Sequence, residues 1–150
     1  MPVLIGGLTS PEAEVAALTT RLATSQALAR GHWWPKVEYD RMPAVYATVG
    51  FNGGVHLSTT VNESFGMAVA ESIMQGCPVI APSVGALPEL LPAPALYPPG
   101  DWTAARAKVR QALDDHAFRA ELLSTAESIE KTTRPETAVG VYRELVAGLF

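Results

Sequence analysis

The stretch Glu63-Ser64-Phe65-Gly66-Met67-Ala68-Val69-Ala70-Glu71-Ser72-Ile73-Met74-Gln75-Gly76-Cys77-Pro78-Val79-Ile80-Ala81 holds a loop, a helix and a strand in one run. Residues 66–75 favour helix, and Gly76 closes them, because glycine ends a helix in the left-handed conformation at no steric cost. Pro78-Val79-Ile80-Ala81 is apolar without alternation, the pattern of a strand covered on both faces. Upstream, Val55-His56-Leu57-Ser58-Thr59 reads as another strand, following a break at Gly53-Gly54. Two strands joined through a helix make a βαβ unit, which requires a parallel sheet.

The same alternation extends outward. Val3-Leu4-Ile5, stopped by Gly6-Gly7, reads as a buried strand. Ser10 is placed to cap a helix that has Pro11 at its first position and Glu12 and Glu14 in its first turn. Val15, Leu18, Leu22 and Leu28 give that helix an apolar stripe up to Gly31. A strand is expected over 32–39, weakened by Pro35, then a short helix capped by Asp40 that carries Ala44, Val45, Tyr46 and Val49. Residues 82–100 are rich in Pro and Gly and contain a short strand, Leu96-Tyr97. Asp101 is the next cap, and helices are expected at 102–114, 116–130 and 135–148. The pattern predicts an α/β fold: a Rossmann-like parallel sheet with helices on both faces and right-handed crossovers. Ligands of such sheets bind beyond the carboxyl ends of the strands. No repeat or linker divides the chain, so residues 1–150 are expected to form one domain.

Composition narrows the function. Hydrophobic residues make up 48% of 150 and charged residues 17%, enough apolar surface for a core and too little charge for a disordered chain. A net charge of -4 without a Lys/Arg run argues against a nucleic-acid binder. Cys77 stands alone, so neither a disulfide framework nor a cysteine metal site is expected, and no metal ligand set is assigned. The N-terminus lacks the basic and apolar regions of a signal peptide, and no apolar run is long enough to span a bilayer. A cytoplasmic location is the expectation.

The chemistry gathers at the start of the central helix. Gly66 has no side chain to keep a ligand from the backbone. The free amides of Gly66, Met67 and Ala68 point out of the positive end of the helix dipole, a site suited to a diphosphate or to sugar oxygens. Glu71 follows about one turn in and offers a carboxylate for a vicinal diol such as a ribose. Glu63, in the loop, stands at the same rim and could hold sugar hydroxyls. Two glutamates at this spacing are common by chance, and Gly66 and Gly76 alone are helix punctuation, so the weight lies in the full string.

That string, with Gly85-Ala86-Leu87-Pro88-Glu89 after it, resembles the donor-site signature of retaining GT-B glycosyltransferases of the group 1, or family 4, class. Their pattern is E-x-F-G-x-x-x-x-E-A-x-A-x-G-x-P-V-I-A, then G-G-x-P-E. The departures are Ser72, Met74 and Ala86. Val3-Leu4-Ile5-Gly6-Gly7, Met42-Pro43-Ala44-Val45-Tyr46-Ala47 and Leu96-Tyr97-Pro98-Pro99-Gly100-Asp101 are similar to further segments of that family. The resemblance implies the C-terminal, donor-binding half of a GT-B fold. It implies that Glu71 binds the ribose hydroxyls, and that Glu63 contacts the donor sugar and stabilises positive charge at the anomeric centre. Ser64, Phe65, Gly66 and Met67 would meet the sugar or diphosphate, and Glu38, within 37–39, would lie along the nucleobase. The implied reaction transfers a hexose-type sugar from a nucleoside diphosphate with retention, without a bound metal or other cofactor. The alternative is a sugar-nucleotide-binding module that transfers nothing, or a subunit whose partner chain brings the acceptor site.

The family's donor domain opens with one more strand and helix, which carry an Arg and a Lys for the diphosphate. In this sequence that unit is absent, and Arg21 and Arg30 lie in the wrong segment to replace it. The N-terminal acceptor domain is absent as well. The missing strand would lie between the strands near 3–5 and 55–59, exposing two interior edges. An excised piece, a subunit completed by another chain and a rearranged sheet all fit, and a homodimer through the gap is one expectation.

The remaining residues have plainer readings. His56, Trp33 and Trp34 are expected to pack, and Cys77 to be a small buried hydrophobe. Asp114, Asp115 and Glu121 read as solvated helix surface. Val139, Tyr142, Leu145, Val146 and Leu149 give the last helix an apolar face fit for docking.

Overall fold

A computed structural model of the chain describes residues 2–6, 11–24 and 31–147. The Ser10 cap, Leu28, Arg30 and Leu149 lie outside the described residues. The chain divides into two compact units, Met1–Met42 and Pro43–Phe150.

In the first unit, β1 (Val3–Ile5) pairs in parallel with β2 (His32–Trp34), Leu4 opposite Trp33, across α1 (Glu12–Thr24). The stripe expected on α1 is present: Val15, Leu18 and Leu22 are half-buried and every other described position of the helix is exposed. β2 is shorter than expected and ends before Pro35, which lacks the N–H to continue the ladder. The Trp33 indole donates to the Gly6 carbonyl at 2.9 Å, so its packing reading holds, while Trp34 is exposed. The buried reading of β1 is corrected. Val3, Leu4 and Ile5 are 37–40% exposed, because a two-stranded ladder with one helix has too little apolar surface to cover both faces.

The second unit holds the core. A 3-10 turn at Tyr39–Arg41 leads into α2 (Met42–Phe51), so Asp40 lies inside that turn and does not cap the helix. Then follow β3 (His56–Leu57), α3 (Met67–Met74), β4 (Val79–Pro82), α4 (Leu87–Leu90), a 3-10 turn at Ala93–Ala95 and β5 (Leu96–Tyr97). Four helices complete the unit: α5 (Trp102–Asp114), α6 (His116–Leu122), α7 (Ala126–Thr133) and α8 (Pro135–Ala147). The helix expected over 116–130 is therefore two, separated by a turn in which Leu123 N–H donates to Ala120 and Ser124 N–H to Glu121. Strands β3, β4 and β5 form a parallel sheet in that order. All four residues of β4 are buried. Successive strand residues point to opposite faces, so both faces of β4 are covered, and α3 and α5 pack on it. The hydrogen bonding thus runs in two parallel ladders instead of one continuous sheet, and among the described residues β1 pairs with β2 only and β3 with β4 only.

Caps fix the helix ends. Asp101 accepts from Ala104 N–H at 2.9 Å, as expected. Asp115 is corrected from surface residue to cap: it accepts from Ala117 and Phe118 N–H and starts α6. Gly76 takes a left-handed φ of 73°, and Cys77 N–H returns to the Ser72 carbonyl, closing α3. Arg119, on α6, carries no signal in the sequence string. Its guanidinium donates to the carbonyls of Gly53 at 2.9 Å, Gly54 at 3.0 Å and Ala112 at 3.0 Å, and it reaches Gly50 at 3.4 Å. One fork of donors thereby closes the carbonyl ends of α2 and α5. On α8, Val139 and Tyr142 are exposed.

Candidate functional site

The site is assembled by three segments of the second unit: the loop before α3, the start of α3, and the turn before α4. In the loop, the Thr60 hydroxyl donates to the Asn62 carbonyl at 2.7 Å. Glu63 is pinned at its main chain, since its carbonyl accepts Ala86 N–H at 2.9 Å. Its Oε1 lies 3.4 Å from Phe65 N–H, so the carboxylate turns back along the loop toward the helix start. Gly85 lets the two segments close. Its φ is +51°, and a Cβ there would fall on the Glu63 carbonyl oxygen and lie 2.9 Å from the carbonyl carbon. Ala86, where the family pattern has a second glycine, takes an ordinary right-handed φ of -78°, so a side chain costs nothing there.

Gly66 precedes α3 with a left-handed φ of 89°. The sequence reading has this glycine open to a ligand. The structure gives its identity a different reason: a Cβ at Gly66 would stand 3.0 Å from both Leu87 Cδ2 and Leu90 Cδ2. The residue is buried under α4, and access to the helix start falls to the exposed Met67 and Ala68. Ser64 is exposed and Phe65 is 46% exposed at the same rim.

Glu71 is half-buried on α3, and its charge is felt by Tyr46 of α2. The Tyr46 phenol is pushed up to about 12, first by burial and then by the Glu71 carboxylate. His56 stacks on the Tyr46 ring with centroids 5.5 Å apart. Burial pulls the His56 imidazole down to about 4, and its Nδ1 is enclosed with no hydrogen-bond partner. Cys77 is buried, as expected, and burial pushes its thiol up. The packing expected of His56 is present, and its partner Tyr46 lies in the family-like segment 42–47; the stack between the two has no sign in the sequence.

Glu38 belongs to the first unit, where it is exposed and pairs with Lys36 at 2.7 Å. Two hollows in the second unit lie at different ends of α3, the first at its carbonyl end and the second near Phe65. A hollow of about 600 Å³ is bounded by Phe51, Asn52, Gln75 and Gly76. Another of about 200 Å³ is lined by Phe65, Glu89, Leu90, Thr125 and Ile129. Neither hollow is lined by Glu63 or Glu71, and both glutamates are half-buried. Among the described residues no three His, Cys, Asp or Glu side chains gather into a metal-binding group, and no helix is long and apolar enough to cross a membrane.

The family model described as "Glycosyl transferases group 1" matches residues 4–129. Among solved structures the chain is similar to sucrose-phosphate synthase from Thermosynechococcus elongatus, at 23% sequence identity and a TM-score of 0.78. The match covers 97% of this chain and 38% of that one, and at such identity it bears on the fold alone. A comparison with curated proteins gives no match.

Proposed function

Since the chain belongs to the group 1 glycosyltransferases, we propose that it binds a nucleoside-diphosphate sugar at the start of α3 and forms the donor-binding part of a retaining enzyme. The observation that carries this reading is the latch between Glu63 and Ala86 N–H, which sets a carboxylate beside the exposed amide end of α3 while Glu71 follows one turn on. The amides of Met67 and Ala68 would take the departing diphosphate, whose negative charge grows in the transition state. Glu63 would face the anomeric carbon and offset its developing positive charge. Glu71 would accept from the ribose diol. The sugar is read as a hexose and the base as that of UDP or GDP.

Calorimetric titration with UDP- and GDP-hexoses tests the reading. One nucleotide class is expected to bind, and Glu71→Ala to weaken it about tenfold or more, as losing hydrogen bonds of roughly 1–3 kcal/mol to a diol implies. No heat with either class, or unchanged affinity in Glu71→Ala, contradicts it.

A further inference from the structure

We propose that the hollow beside Phe65 seats one neutral hexose ring of an acceptor saccharide. The inference deepens the donor-site reading above and rests on it.

The hollow lies between the loop before α3, α4 and α7, and its volume is about 200 Å³. Its walls are anchored. Ile129 of α7 is 3% exposed and belongs to the core, and α7 packs on α3. Leu90 of α4 reaches to 3.0 Å from where a Cβ on Gly66 would stand. Clefts for drug-sized ligands run to about 300–1,000 Å³, so a nucleotide is too large for this one and a single ring fits.

The lining sets the ligand class. Phe65, Leu90 and Ile129 give apolar surface, the Glu89 carboxylate accepts hydrogen bonds, and the Ser128 hydroxyl donates or accepts them. No Lys or Arg lines the hollow, so a phosphate or other anion would meet the Glu89 charge unopposed. A pyranose suits such a wall, with C–H groups on its face and hydroxyls around its edge. Thr125 borders the hollow at the N-cap of α7, yet its hydroxyl caps nothing and is enclosed with no hydrogen-bond partner. A threonine there ordinarily accepts from the first-turn amides. One hydrogen-bonding group of the wall is thus unmet, and after a turn about its Cα–Cβ bond a sugar hydroxyl would satisfy it.

Position makes the hollow an acceptor seat. Phe65 belongs to both places: its N–H lies 3.4 Å from Glu63 Oε1, and the same residue lines the hollow. In the donor-site reading Glu63 faces the anomeric carbon. The attacking hydroxyl must come within about 3–3.5 Å of that carbon. A ring seated against Phe65 starts beside it.

The test records backbone amide shifts while methyl glucoside, methyl galactoside or methyl mannoside is added, with and without UDP or GDP. At least one glycoside is expected to move Glu89, Ser128 and Ile129 saturably, and to do so equally with the nucleotide present. Glu89→Gln is expected to weaken this binding about fivefold, the effect of one hydrogen bond. Ser128→Phe, which fills the hollow, abolishes it. Both side chains are exposed, so the unfolding temperature and the nucleotide affinity stay as in the wild type. No saturable shift at these amides with any of the three, displacement of the glycoside by the nucleotide, or methylammonium moving the same amides as strongly overturns the inference and leaves the donor site standing. A wild-type chain that binds a glycoside but neither UDP nor GDP overturns the donor-site reading, and the acceptor role with it.

Discussion

Gly85→Ala is expected to lower the unfolding temperature by roughly 6 to 12 °C and to cut donor affinity with it. The new Cβ would land on the Glu63 carbonyl, a main-chain atom that no rotamer change can move aside. The φ of +51° adds a penalty that only glycine escapes. A left-handed backbone costs about 1–2 kcal/mol for an ordinary residue and overpacking about 1–3 more, so about 3 kcal/mol in all. Relief comes only by parting the Gly85 turn from the Glu63 loop, which breaks the Ala86 N–H bond to Glu63. Ala86→Gly, one residue on, meets neither obstacle and is expected to cost about 1 kcal/mol or less. Thermal unfolding and titration with UDP- and GDP-hexoses check both variants. A Gly85→Ala protein that melts with the wild type would show that the two segments do not close as described.

The second large effect follows from His56. Its imidazole is held neutral by burial, with a folded pKa of about 4 against 6.5 unfolded. A lowered pKa means that the unfolded chain binds the proton first as pH falls. Stability is therefore flat above about pH 6.5 and declines from there toward pH 4. Linkage puts the loss between pH 7.5 and 4.5 at about 2.5 kcal/mol. Charging the ring would also leave a buried cation against the Tyr46 face with its Nδ1 unpartnered. Urea unfolding across that range measures the slope, and His56→Phe, which keeps a ring against Tyr46, is expected to remove this component. An equal pH slope in the two proteins would place the titrating group elsewhere.

Where local chemistry decides, the sequence is a good guide. Gly76 ends α3, Asp101 starts α5, and the unbroken apolar run at 79–81 is a strand buried on both faces. Each of these follows from one residue type acting on its own backbone. The pattern also identifies the family, because the Glu63–Ala81 string needs no tertiary information. What depends on distant partners is less visible. Arg119 serves carbonyls of Gly53 and Gly54, more than sixty residues away, and looks in the string like any helix-surface cation. Gly66 reads as an opening for a ligand, yet its lack of a side chain answers to Leu87 and Leu90. Val3-Leu4-Ile5 has the composition of a buried strand and remains partly exposed, since composition reports what a segment is able to bury and its neighbours decide what it does bury. The site follows the same division. Glu63 and Glu71 come from the motif, whereas the Gly85 latch and the Tyr46–His56 stack arise only when separate segments meet.

Backbone amide shifts recorded while UDP or GDP is added show whether the amide end of α3 receives a nucleoside diphosphate. The largest changes are expected at Met67 and Ala68, with smaller ones at Glu63 and Glu71. Saturable binding that moves the amides of Thr125, Ile129 and Glu89 and leaves Met67 and Ala68 in place would contradict the donor-site reading.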